Sequence, residues 1–134
     1  ENKFFTTTRG KNGDGLTLIE EINHEKRLIK TSKKATLNAP FLHLLFKNFP
    51  NFNYIIHGHN INEINENCPC IPYFFDGTDE YQKKYVLDSN VLEYLKEIYN
   101  KNKSIFTFRI SKHGYYILFK TEKEVDKWIK KLKR

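Results

Sequence analysis

Apolar residues along this chain come in short runs whose spacing keeps changing between two residues and about 3.6, which narrows the folds open to it. Phe4–Arg9 is rich in β-formers, and the Gly10–Gly15 stretch that follows is a turn by its Gly, Asn and Asp content. Leu16–Ile22 and Lys26–Thr31 read as two strands of a hairpin joined at Asn23-His24-Glu25. Asn38-Ala39-Pro40 opens a helix, with a capping residue, a proline in the first turn, and Phe41, Leu42, Leu45 and Phe46 at helical spacing. Asn48 and Pro50 close it. Asn53–His59 is the next strand, and the polar stretch Asn60–Cys70 reads as irregular. Thr78–Tyr85 is expected as a short helix, and Asn90–Tyr99 as a clearer one through Val91, Leu92, Leu95 and Ile98. Ser104–Ile110 and Tyr115–Lys120 are expected strands around the turn Lys112-His113-Gly114. A final amphipathic helix, Glu122–Leu132, carries Val125, Trp128, Ile129 and Leu132 on one side and cations at its end, where they suit the helix dipole. Strands alternating with helices, without repeat or linker, imply one layered α/β or α+β domain over residues 1–134.

A chain of 134 residues is long enough to bury a core, and 39% hydrophobic with 15% aromatic residues argues for a folded one. The longest apolar run, around Phe41–Phe46, is far shorter than the roughly 18 residues a membrane span needs. The formal net charge is +7, but the lysines are scattered and asparagine is abundant. That pattern does not argue for a nucleic-acid partner and fits attraction to phosphorylated small molecules at least as well. Cys68 and Cys70 flank Pro69, a spacing that strains a mutual disulfide, so a reducing, cytoplasmic compartment is the simpler expectation. The chain contains no Met and begins at Glu1, which suggests that the upstream part of the domain is missing from it.

His57-Gly58-His59 is the sharpest local signal. Positions i and i+2 of a strand face the same way, roughly 6.6 Å apart. Two imidazoles so placed can converge on one metal ion, each nitrogen roughly 2.0–2.1 Å from it. Taken alone, the pair reads more readily as two unrelated histidines at a strand end. Spacing does not identify a third ligand.

The wider pattern resembles the class II aldolase/adducin domain family. The resemblance is carried by Leu37-Asn38-Ala39-Pro40-Phe41, the helix ending at Pro50, Tyr54-Ile55-Ile56-His57-Gly58-His59, the turn Gly77-Thr78, and Lys112-His113-Gly114-Tyr115 before the last helix. It covers nearly the whole chain in the family's order. It implies a three-layer α/β/α fold around a mainly antiparallel central sheet, and His113 as third ligand beside His57 and His59. In such enzymes a zinc ion held by three imidazoles polarises a ketose carbonyl and stabilises the enediolate. Other divalent transition metals suit the same donors. The resemblance further places phosphate at Thr8 and Gly10, with Thr36 in the family's serine loop, and implies a homo-oligomer, commonly a tetramer. The expected function is a zinc-dependent aldolase-like lyase, or a related epimerase or dehydratase, acting on a small phosphorylated sugar.

Two departures qualify that expectation. Asn38 stands at the family's acid/base carboxylate, and a carboxamide cannot exchange a proton near neutral pH; a helix N-cap is its simpler role. The region after His59 is short, and Tyr73 is the nearest tyrosine that could donate a proton. An adducin-like binding or assembly module that has lost catalysis is therefore the alternative. The remaining candidates read blandly. His24 is a turn residue, His43 a surface or boundary residue of its helix, Asp76, Asp79 and Glu80 helix-start charges, and Trp128 core.

Overall fold

The alternation of strands and helices is present in the computed structural model, which describes residues 3–7, 16–23, 28–32, 39–64, 67–71, 89–99 and 104–132. These residues form a mixed α/β structure with two sheets, and belong to two compact units. The first unit draws on Glu1–Asn48 and Phe74–Ser89, the second on Phe49–Tyr73 and Asn90–Arg134.

In the first unit, β1 (Phe4–Thr7), β2 (Leu16–Asn23) and β3 (Leu28–Thr31) form an antiparallel sheet in that order. An irregularity between Ile19 and Glu21 shifts the β2–β3 register. Helix α1 (Ala39–Asn48) packs against β2 and buries Ala39, Phe41 and Leu45. His43 is buried with them, at 6% exposure, and its ring stacks with that of Phe4, the centroids 6.2 Å apart. This corrects the surface position expected for it. The apolar stripe of α1 is wider than its apolar residues alone suggest, and a neutral imidazole can pack as part of it.

The second unit is built on a four-stranded sheet in the order β4-β7-β6-β5, from β4 (Tyr54–Gly58), β5 (Cys70–Ile71), β6 (Ile105–Ile110) and β7 (Gly114–Phe119). All pairs are antiparallel except β5 with β6. Strand β7 lies between β4 and β6, and all six of its residues are buried. Register sorts its side chains. Tyr116 lies across from His57 and Phe108, and Leu118 across from Ile55 and Phe106, on one face. Tyr115, Ile117 and Phe119 occupy the other, where Ile56, Val125 and Trp128 pack on them.

Val125 and Trp128 come from α3 (Glu122–Leu132), preceded by α2 (Ser89–Ile98), whose Leu95 is fully buried. At the start of α3 the Glu124 backbone N–H donates to Thr121 Oγ1 at 3.3 Å, and that hydroxyl donates to Glu124 Oε1 at 3.0 Å. This exchange between the cap and the third helical residue satisfies an otherwise orphaned N–H.

Two expectations change. The stretch Asn60–Cys70 is not wholly irregular, because a 3-10 turn (Ile61–Glu63) and the start of β5 fall within it. A strand of two residues has no periodicity to read, although Ile71 is buried at 3%. The strands lie in two sheets among the described residues, where one central sheet was expected. The helix expected at Thr78–Tyr85 lies outside the described residues, as do Tyr73, Gly77-Thr78 and the acidic cluster of Asp76, Asp79 and Glu80. No described helix is long and apolar enough to cross a membrane.

Candidate metal centre

A strand end and a hairpin turn bring the histidines of the second unit together. Strand β4 ends at Gly58, so His57 sits on the sheet and His59 just past it. The β6–β7 hairpin turns through Ser111-Lys112-His113, closed by the His113 N–H donating to the Ile110 carbonyl at 3.0 Å. Lys112 takes a left-handed conformation (φ 63°) to complete it. The turn lies beside the end of β4 because β7 pairs with β4 from Gly114 onward along the sheet, Tyr115 facing Gly58 and Tyr116 facing His57.

Two glycines permit the close approach. A Cβ at Gly58 would overlap the Tyr115 phenol, which crosses above it. Gly114 has φ +143°, and a Cβ there would run into the Gly58 carbonyl. The Tyr115 hydroxyl continues past Gly58 to donate to Glu63 Oε1 at 2.7 Å, which ties the 3-10 turn back to the sheet. Burial, then the Glu63 hydrogen bond and charge, raise the Tyr115 phenol well above its ordinary range.

The three imidazoles offer ligand atoms that all lie within 4.8 Å of one another, and their ring centroids are 4.8, 5.0 and 5.8 Å apart. His57 Nδ1 donates to the Tyr115 carbonyl oxygen at 2.8 Å. That bond fixes the tautomer and leaves Nε2 with its lone pair, 3.1 Å from His59 Nε2. Tetrahedral coordination at roughly 2.0–2.1 Å puts ligand nitrogens about 3.3 Å apart, so this pair already has ligand spacing. The widest pair needs to close by about 1.5 Å, within reach of ring rotation.

The site also keeps His57 and His113 neutral. Burial lowers the pKa of His57 to about 4, opposed by its bond to the Tyr115 carbonyl and reinforced by His113 and His59. Burial and then His59 lower His113 to about 4 as well. A metal arriving near neutral pH therefore meets lone pairs at His57 and His113 rather than protons.

Tyr116, which the sequence reading did not single out, touches two of the three rings. Its ring stacks on His57 with centroids 4.3 Å apart, and its hydroxyl lies 3.2 Å from His113 Nε2. It is fully buried, stacked in turn against Phe108 at 5.4 Å. Counting in twos from the His-Gly turn puts Tyr116 on the His57 face, so pairing β4 with β7 was the missing step.

Beside the histidines lies a cavity of about 380 Å³, lined by His59, Ile61, Cys70, Arg109, Ile110, Ser111, Lys112, His113 and Gly114. Arg109 Nε is buried without a hydrogen-bond partner among the described residues. Cys68 and Cys70 are both free thiols; burial raises the pKa of Cys68 while the Arg109 charge opposes the rise. Asn38, Thr8, Gly10 and Thr36, the residues assigned by resemblance to acid/base and phosphate roles, lie outside the described residues, as does His24.

No protein-family model matches this sequence, and no curated protein does. Among solved structures, the chain is similar in fold to YgbL from Escherichia coli, provisionally described as an aldolase/epimerase/decarboxylase. The TM-score is 0.58 at 14% sequence identity, over 97% of this chain and 69% of that one.

Proposed function

We propose that this chain is a metal-dependent, aldolase-like enzyme of the class II aldolase/adducin type, with zinc held by His57, His59 and His113. The observation that carries this reading is the convergence of three imidazoles from a strand end and a separate hairpin turn, with His57 already locked in the ligating tautomer. The fold likeness to YgbL agrees with it. The donor set fits the ion: three imidazole nitrogens suit zinc and would leave room for a further ligand. When bound, the ion supplies Lewis acidity toward a substrate carbonyl.

The chain's own residues do the rest. The Tyr115 carbonyl orients His57, Tyr116 holds His57 and His113 in register, and the glycine pair lets the hairpin close on β4. The substrate in this reading is a small phosphorylated sugar. The reaction is carbon–carbon cleavage or a related epimerase or dehydratase step, with phosphate at Thr8, Gly10 and Thr36. The same reading carries a cytoplasmic homo-oligomer and a three-layer domain spanning residues 1–134.

One feature of the sequence favours a second reading. Asn38 occupies the position of the family's proton-transferring carboxylate, and an amide cannot replace it. An adducin-like assembly module would tolerate that change. Assaying a panel of ketose phosphates with the zinc-loaded chain separates the two. Turnover that is abolished by His113→Ala supports the enzyme; a zinc-loaded, folded chain inert toward every member of the panel supports the module.

A further inference from the structure

The cavity beside the histidines is chemically lopsided. The histidines His59 and His113 border it, and Arg109, Lys112 and Ser111 form more of its wall. No carboxylate is among its lining residues described here. Arg109 and Lys112, with no described carboxylate in the lining, give the site a positive potential. Its volume, about 380 Å³, falls at the small end of the range for metabolite sites.

Arg109 is the informative residue. It lies on β6, bound on its two sides by backbone pairing, with its N–H donating to the Pro69 carbonyl at 2.9 Å and its Cα across from Tyr115 and Cys70. Its position is therefore set by the sheet and not by a mobile surface strand. Its Nε is buried without a hydrogen-bond partner among the described residues, so only the outer nitrogens of the guanidinium are open to a ligand in the cavity. A guanidinium is matched by the paired oxygens of a carboxylate or phosphate, which accept from two of its N–H groups at once. Lys112, held exposed at the hairpin tip in its left-handed conformation, adds a second charge one residue from His113.

We propose that this cavity is an oxyanion subsite, in which Arg109 and Lys112 hold a carboxylate or phosphate group of a substrate whose other end lies toward His59 and His113. The assignment of that other end rests on the metal reading above; the anion site itself rests on Arg109, Lys112 and the cavity. It makes the substrate a small acid or phosphoester, and it assigns the anion-binding group to Arg109 and Lys112 of the second unit.

The test is calorimetric titration of the full chain with inorganic phosphate and, separately, with acetate at low ionic strength, in zinc-free and zinc-loaded protein. Zinc uptake is measured independently by elemental analysis. Binding of either anion is expected, weakened at least tenfold by Arg109→Gln and severalfold by Lys112→Asn. Asparagine keeps the left-handed turn while removing the charge, so Lys112→Asn remains informative if Arg109→Gln fails to fold. The tighter of the two anions identifies the group recognised. Zinc uptake with no binding of either anion, or anion binding indifferent to both substitutions, overturns the subsite. Anion binding that responds to both substitutions in a chain that takes up no zinc upholds the subsite and sinks the metal reading instead.

Discussion

His43 and the pair His57/His113 are histidines in two different parts of the molecule, and burial lowers the pKa of all three. Their surroundings differ. His43 lies in helix α1 beside the Phe4 ring, with Lys47 one turn on reinforcing the downward shift. His57 and His113 face each other with centroids 5.0 Å apart, His59 completes the cluster, and a backbone carbonyl dictates which His57 nitrogen carries the proton. A depressed pKa thus records only that an imidazole has left water. Convergence of lone pairs, each oriented by a neighbour, is what makes a candidate site.

The largest expected effect breaks the comparison directly. His57→Ala or His113→Ala should weaken zinc binding by more than about a hundredfold, since even the outer partners of ligating histidines are worth roughly ten- to a hundredfold. His43→Ala should leave zinc affinity unchanged while destabilising the fold. Competition titration with a chelating dye reads all three. Equal losses at His43 and His57 would erase the distinction.

Next comes the glycine packing under the cluster. Gly58→Ala forces the Tyr115 phenol off its position and away from Glu63, and Gly114→Ala also meets backbone at a positive φ. Each should cost at least about 2 kcal/mol in urea unfolding, through overpacking and loss of a charged hydrogen bond. A Gly58→Ala chain as stable as the parent would mean that the hairpin does not close on β4 as described.

Tyr116→Phe sharpens the comparison more gently. It keeps the ring stacked on His57 but removes the hydroxyl beside His113 Nε2, so zinc affinity should fall by roughly tenfold with little change in stability. An unchanged affinity would leave Tyr116 as packing alone.

The smallest effect is on pH dependence. In the metal-free chain, folded His57 and His113 refuse protons that the unfolded chain accepts once the pH drops below about 6.5. Their contribution is therefore neutral above that value and increasingly destabilising as the pH falls from about 6.5 toward 4. His57→Gln and His113→Gln should each flatten the urea midpoint against pH in this window; His43→Gln should flatten it too, because the sign of its shift is the same. A steeper slope in any of the three would reverse the assigned direction.

Much of this was legible in the sequence, for reasons that differ between residues. Glu122–Leu132 and Tyr115–Lys120 could be read because an amphipathic stripe and an apolar run sit between clear stops. His57-Gly58-His59 stood out because period-2 spacing on a strand leaves few ways to separate two side chains. Partnership was harder to read. Bringing His113 beside the pair depends on β4 pairing with β7 across some sixty residues, and the local sequence carries no mark of that. Tyr116 shares the difficulty, since it looks like an ordinary strand residue until register places it beside the cluster; Arg109 pairs with Tyr115 on the other face, and register alone does not show that it joins the cavity wall. His43 misled for the opposite reason, since a polar letter on an apolar helix face reads as surface although a neutral imidazole packs there.

The shared ligation of one ion by three imidazoles is tested most directly by X-ray absorption at the zinc edge of the protein loaded with one equivalent of zinc. Three imidazole nitrogens at roughly 2.0–2.1 Å, falling to two in His113→Ala, are the expected result. A spectrum showing only oxygen neighbours, or one unaltered by loss of any of the three histidines, would contradict it.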